Sequence, residues 1–101
     1  MKVVYALQAQ RDIEEILSYI QERNARAAHS VSLAIEYTIQ LCALSPYAAR
    51  KTDEPDVYRK PLGKYRYAIF YRVLAKDARI EIVRVLHSAR IRNLDKLPDE
   101  L

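Results

Sequence analysis

The sequence predicts a two-layer α+β domain of order β-α-α-β-β-β, with a helical hairpin packed on a mainly antiparallel sheet and a short C-terminal helix. Two apolar stripes of helical period follow one another between about Ala9 and Ser45. Three β-branched and aromatic runs separated by four-residue turns follow between Val57 and Leu86. A hairpin of amphipathic helices and a meander each leave an apolar face uncovered, and each is the natural cover for the other.

The first element is a strand at Lys2–Ala6, suited by the β-branched Val3 and Val4. Ile13, Ile16, Leu17 and Ile20 then take i, i+3, i+4, i+7 spacing, one apolar stripe of a helix. Asp12, Glu14 and Glu15 come early in it and Arg23 late, as the helix dipole favours. Asn24 is a stop and a fresh N-cap. A second stripe of Ala27, Val31, Ile35 (or Ala34), Thr38, Leu41 and Cys42 runs to Pro46. Helices joined by two or three residues must fold back on each other. Tyr47–Asp56 lacks periodicity and reads as a connecting loop. The strands Val57–Leu62, Tyr65–Leu74 and Arg79–Leu86 are separated by Pro61-Leu62-Gly63-Lys64 and Ala75-Lys76-Asp77-Ala78, turns that suit antiparallel hairpins. From Ser88, Ile91, Leu94 and Leu97 at helical spacing predict the final short helix, ending before Pro98.

The chain of 101 residues, half of them apolar, is long enough for one core and too short for two, so residues 1–101 are expected to form a single domain. The lone Cys42 cannot form an internal disulfide, and in an apolar helical stripe it acts as a small hydrophobe. No leader-like N-terminus and no long charge-free apolar run stand in the sequence, which points to a cytoplasmic protein with no membrane partner. There is no glycine-rich phosphate loop, and one cysteine with two dispersed histidines, His29 and His87, makes no zinc site. No metal and no cofactor are expected.

Charge is segregated. Tyr58–Arg90 holds nine Lys or Arg residues against Asp77 and Glu81, a formal +7 within a whole-chain +4. A one-signed surface attracts nucleic acid or an acidic protein. Strict alternation puts Tyr65, Tyr67, Ile69, Tyr71 and Val73 on one face and Arg66, Ala68, Phe70, Arg72 and Leu74 on the other. In the last strand it groups Ile80, Ile82, Arg84 and Leu86 against Glu81, Val83, Val85 and His87. With apolar residues on both faces, one side of the sheet lies under the helices and the other is a mixed surface that a partner covers in part. Arg59, Arg66, Arg72, Arg84 and Arg90 would frame a groove there, their planar forks suited to phosphate or carboxylate. The plainer alternatives stand beside this: solvated arginines, tyrosines that pack, and a structural His87. Any chemistry would be metal-free RNA cleavage, with arginines stabilising the developing charge and a side chain taking the 2'-hydroxyl proton.

The element order and local strings together resemble the RelE/ParE superfamily of toxins from bacterial type II toxin-antitoxin modules, and more closely its ParE branch, the plasmid stabilisation proteins. The resemblance rests on Ala9, Asp12, Ile13, Ile16, Tyr19 and Ile20 in the first helix and on Leu44 with Pro46 at the end of the second. It extends to the strings Val57-Tyr58-Arg59-Lys60-Pro61-Leu62, Tyr67-Ala68-Ile69-Phe70-Tyr71-Arg72-Val73 and Val83-Arg84-Val85-Leu86-His87-Ser88-Ala89-Arg90. It implies the RelE/ParE-like fold and a cognate antitoxin, encoded by an adjacent gene, whose disordered C-terminal segment folds over the helical hairpin and sheet in a hetero-oligomer. It also implies one of two targets. ParE-like members poison DNA gyrase, whereas RelE-like members cleave messenger RNA in the ribosome with basic residues of the sheet and a tyrosine or histidine near the C-terminus.

Two departures favour the first target. Many relatives carry an arginine where this chain has Ala68, with Arg66 two residues earlier. The expected tyrosine near Lys96 is absent, and no tyrosine follows Tyr71. The resulting expectation is a ParE-like toxin whose target- or antitoxin-binding residues are Arg59, Lys60, Arg66, Arg72, Arg84 and Arg90. The alternative is a RelE-like ribosome-dependent endoribonuclease with His87, Arg90 and Arg66 as catalytic residues. A third class, an RNA-binding sheet module, fits least, because its β-α-β-β-α-β order and glycine-containing aromatic motif are missing.

Overall fold

A computed structural model of the chain describes residues 1–90. Strand β1 (Lys2–Tyr5) leads into α1 (Leu7–Arg23) and α2 (Ala25–Leu44), followed by β2 (Arg50–Lys51), β3 (Val57–Pro61), β4 (Tyr67–Leu74) and β5 (Arg79–His87). The five strands form one sheet in the order β1-β5-β4-β3-β2, antiparallel except where β1 runs parallel to β5. The two-layer α+β expectation with a mainly antiparallel sheet is met, the single parallel pair being β1 with β5. Arg50–Lys51, expected within a loop, adds a two-residue edge strand to β3. The expected C-terminal helix at Ile91, Leu94 and Leu97 lies outside the described residues. No helix among the described residues is long and apolar enough to cross a membrane.

A single residue, Asn24, joins the two helices. Its N–H closes α1 on the carbonyl of Ile20 at 2.7 Å, and its side-chain oxygen accepts the Ala27 N–H at 3.0 Å to start α2. The helices fold back on each other and cover one face of the sheet. Ala9, Val31, Ile35, Ile39 and Cys42 pack there on Tyr58, Leu62, Ile69, Tyr71, Val73, Ile80, Ile82 and Val85. Each such fully buried Leu or Ile contributes about 1.5–3 kcal/mol relative to an exposed one. Ile13, Ile16, Leu17 and Ile20, the stripe that the spacing singled out, pack against this core while remaining half-buried. The N-terminal ammonium donates to the carbonyl of Ala43 at 2.8 Å, placing a cation at the electronegative end of α2.

Tyrosines fasten the connection after α2. Tyr58 stacks on Tyr71 at 5.7 Å between ring centroids, Tyr47 meets Tyr58 edge-on at 5.9 Å, and the Tyr71 hydroxyl donates to the carbonyl of Pro46 at 2.7 Å. In the β3–β4 turn, Gly63 takes φ 59°, the left-handed conformation that glycine adopts without a steric cost.

One irregularity decides which side chains face the helices. Tyr71 pairs with Ile82 but Phe70 pairs with Arg84, so β5 carries one extra residue, Val83, at a bulge. Strict alternation therefore holds only up to Ile82. Beyond the bulge Val85 joins Ile80 and Ile82 on the helix side, while Val83 and Leu86 join Val57, Ala68 and Phe70 in a second cluster. The sequence grouping of Ile80, Ile82, Arg84 and Leu86 on one face is corrected by that single residue.

Candidate functional site

The bulge lies where the sheet loses a neighbour. β1 accompanies β5 only as far as Ile82, and the Ala6 N–H donating to the Ile82 carbonyl at 2.9 Å is the last bond of that pairing. Past this point α1 lies against β5, and Asp12 serves the exposed strand edge. Its Oδ2 accepts the Val85 N–H at 3.0 Å and Arg84 Nε at 2.8 Å, and its Oδ1 accepts Arg84 Nη2 at 3.2 Å and Gln8 Nε2 at 3.1 Å. Four accepted bonds fill the usual capacity of a carboxylate. Asp12 and Arg84 are 4% and 3% exposed. Arg84 was expected on the partner-facing surface. It is instead half of a buried forked ion pair that locks α1 to β5, and it presents nothing to a partner in this structure. The sequence places Asp12 among the dipole-favoured acids early in the first helix, and no spacing marks it as Arg84's partner.

The other predicted residues do not form one groove. Arg59 and Arg72 share the sheet face away from the helices, since Arg59 pairs with Phe70 and Arg72 with Val57. Ala68 lies between Pro61 and Leu86 in the cluster at the centre of that face and is 3% exposed. Lys60 pairs with Ile69 and belongs to the helix side. Arg66 is exposed in the turn before β4, where its carbonyl accepts the Ser88 N–H at 2.8 Å. Arg90 ends the turn Ser88–Arg90, and its side chain lies outside the described residues.

His87 closes β5 beside a cleft of about 370 Å³ lined by Asp12, Glu15, Ile16 and Tyr19 of α1 and by Tyr67, Val85 and His87 of the sheet. Its ring meets Tyr67 edge-on at 5.1 Å, and its Nδ1 accepts the Ala89 N–H at 3.0 Å. A backbone N–H only donates, so neutral His87 carries its proton on Nε2 and offers the cleft a donor. Burial, and secondly the nearby Tyr19, raises the Tyr67 phenol above its ordinary range, so its hydroxyl keeps its proton at neutral pH.

A second recess runs beside α2. Leu33, Tyr37, Leu41 and Leu44 form an exposed apolar stripe at helical spacing. Between Leu41 and β3 lie two grooves of about 360 and 210 Å³ that share Leu41 and Lys60, with Lys64 on the rim of the larger. Sequence periodicity had assigned Leu41 to the buried stripe. Ile39 takes that place, and Leu41 turns out to the groove.

Comparisons with known proteins bear on both the fold and the family. The chromosomal ParDE toxin-antitoxin system from P. aeruginosa contains a chain of similar fold, with a TM-score of 0.65 and 19% identity over 86% of this chain and 95% of that one. The isolated E. coli RelE toxin gives 0.64 at 16% identity, covering 88% of this chain and 85% of its own. A chain of the intact E. coli RelBE toxin-antitoxin complex gives 0.61 at 16%, covering 83% and 92%. At such identities the likeness is one of fold. No curated protein matches in sequence. The family described as the ParE toxin of the type II toxin-antitoxin system, parDE, matches residues 3–92. With nearly the whole sequence so matched, on two helices packed over a mixed sheet of the RelE/ParE kind, the chain belongs to the ParE toxin family.

Proposed function

We propose that this ParE-family chain inhibits DNA gyrase and is neutralised by a cognate antitoxin seated on α2 and the adjoining edge of the sheet. What supports this choice of target is the placement of Ala68, Arg66 and His87. Ala68 is closed inside an apolar cluster at the position where many superfamily members carry an arginine. Arg66 stands on an exposed turn, and the acceptor nitrogen of His87 is committed to Ala89. A general base needs an unprotonated atom within reach of the proton it removes, and here that atom faces the backbone.

The antitoxin reading draws on the ParDE and RelBE complexes among the similar structures. It also draws on the recess along α2, whose apolar stripe bordered by Lys60 and Lys64 suits an amphipathic segment with acidic flanks. RNA cleavage remains the competing function, since the likeness to E. coli RelE nearly equals that to the ParDE chain and a shared fold does not select a target.

One set of assays separates the two. Purified toxin should block gyrase supercoiling or trap cleaved DNA, and the product of the neighbouring gene should relieve the block. Tyr37→Asp with Leu41→Asp should abolish copurification of that product. Gyrase left untouched, with messenger RNA cut in translating ribosomes and the cutting lost in His87→Ala, would transfer the protein to the nuclease branch.

A further inference from the structure

Asp12, Glu15, Ile16 and Tyr19 follow one stripe of α1, and together with Tyr67, Val85 and His87 they enclose the cleft at the end of β5. The acceptors of Asp12 are saturated by Arg84, Val85 and Gln8. Glu15, one turn further, has no hydrogen-bond or ion-pair partner among the described residues. The cleft wall thus combines a neutralised ion pair, a free carboxylate, two phenols and an apolar floor of Ile16 and Val85. His87, its Nδ1 engaged by the Ala89 N–H, supplies the remaining polar group.

We propose that this cleft receives a basic side chain, arginine or lysine, projecting from a protein partner, with Glu15 as its counter-ion. A carboxylate with unfilled acceptors beside aromatic rings recognises a guanidinium or ammonium through charge-assisted hydrogen bonds and cation–π contact. An anion would meet the Glu15 carboxylate, while the buried Arg84, whose Nε and Nη2 are bound to Asp12, does not line the cleft. The molecule already uses Tyr19 in the same way. The guanidinium carbon of Arg23 lies 3.7 Å from the centroid of the Tyr19 ring, and its Nη1 donates to the Tyr19 carbonyl at 2.8 Å. Arg23 is further paired with Glu22 at 3.7 Å, so it is held on Tyr19 and leaves Glu15 unsatisfied. The apolar floor suits the methylene stem that such a side chain carries behind its charge. On a chain of net charge +4 this cleft is a local acceptor for positive charge, separate from the basic sheet and from the α2 recess.

The test is an NMR titration of the full chain with Nα-acetyl-arginine-N-methylamide, using the acetyl-citrulline compound as the uncharged match. The arginine compound should shift amides around Glu15, Tyr19, Tyr67 and His87 saturably in the millimolar range. Glu15→Gln should weaken it by about tenfold or more, and Glu15→Asp should retain most of the binding. A citrulline compound that binds equally well, or a Glu15→Gln protein with unchanged affinity, overturns the proposal. So does a cleft silent to arginine but saturated by guanosine monophosphate, which would make it a nucleobase site.

Discussion

Asp12 and Glu15 stand one turn apart on the same stripe of α1. Asp12 is closed under Arg84 with every acceptor filled, while Glu15 lines an open cleft with none filled by the described residues. Neither helix propensity nor charge distinguishes them. The difference comes from β5: its edge is uncovered after Ile82, its bulge at Val83 redirects the strand, and its Val85 N–H needs an acceptor where β1 has ended. A carboxylate at position 12 meets that need, whereas Glu15 one turn later makes no bond to the strand among the described residues. The same helix stripe therefore yields a structural lock at one end and a recognition surface at the other.

The largest effect should come from breaking the lock. Asp12→Ala leaves Arg84 buried without a counter-charge, and Val85 N–H and Gln8 lose their acceptor. Urea unfolding should show a loss of about 3–5 kcal/mol. The double variant Asp12→Leu with Arg84→Met should recover much of this, because a well-packed apolar pair avoids the desolvation of two charges. Additive losses from the two positions would mean that the pair is not the unit acting here.

A smaller effect belongs to Tyr71, a second closed polar group on the helix side. Its hydroxyl donates to Pro46, so Tyr71→Phe should cost about 1 kcal/mol. Burial first, and then Cys42, raises this phenol well above the ordinary value of 10.0. A group whose pKa is raised in the folded state contributes stability that is complete below its unfolded value and is lost as pH climbs toward the folded one. Wild-type stability should therefore fall from about pH 10 upward. Tyr71→Phe should flatten that fall, and an unchanged alkaline slope would remove Tyr71 as its source.

What the sequence made legible follows from how local each determinant is. Both helices, the Asn24 cap between them, three of the five strands and the opening strand each rest on a repeat or a cap within a few residues, and all of them stand in the structure. Arg50–Lys51 escaped because two residues carry no periodicity, and its pairing partner lies across the Thr52–Asp56 turn. The faces of β5 were misread past Ile82 because a bulge has no signature in an alternating apolar run. Arg84 was grouped with the other arginines of the sheet because its partner is separated from it by 72 positions. His87 stands at the strand end where the sequence put it, but Glu15 and Tyr19, which share its cleft, come from a helix that only the fold brings there.

The smallest expected effect is the sharpest test of the comparison. Glu15→Gln should leave stability within about 0.5 kcal/mol of wild type, since an exposed carboxylate with no partner among the described residues loses none of the interactions they make when it is neutralised. The matching change Asp12→Asn keeps nearly the same shape yet should be strongly destabilising. An amide offers one acceptor oxygen where the carboxylate offered two, and its NH₂ would face the Arg84 donors across the former ion pair. Measured side by side in urea, the two substitutions differ by one helical turn and by no chemistry of their own. A Glu15→Gln loss approaching that of Asp12→Asn would mean that Glu15 already has a partner in solution, and the cleft would then be a second lock, with no free acceptor for a basic side chain.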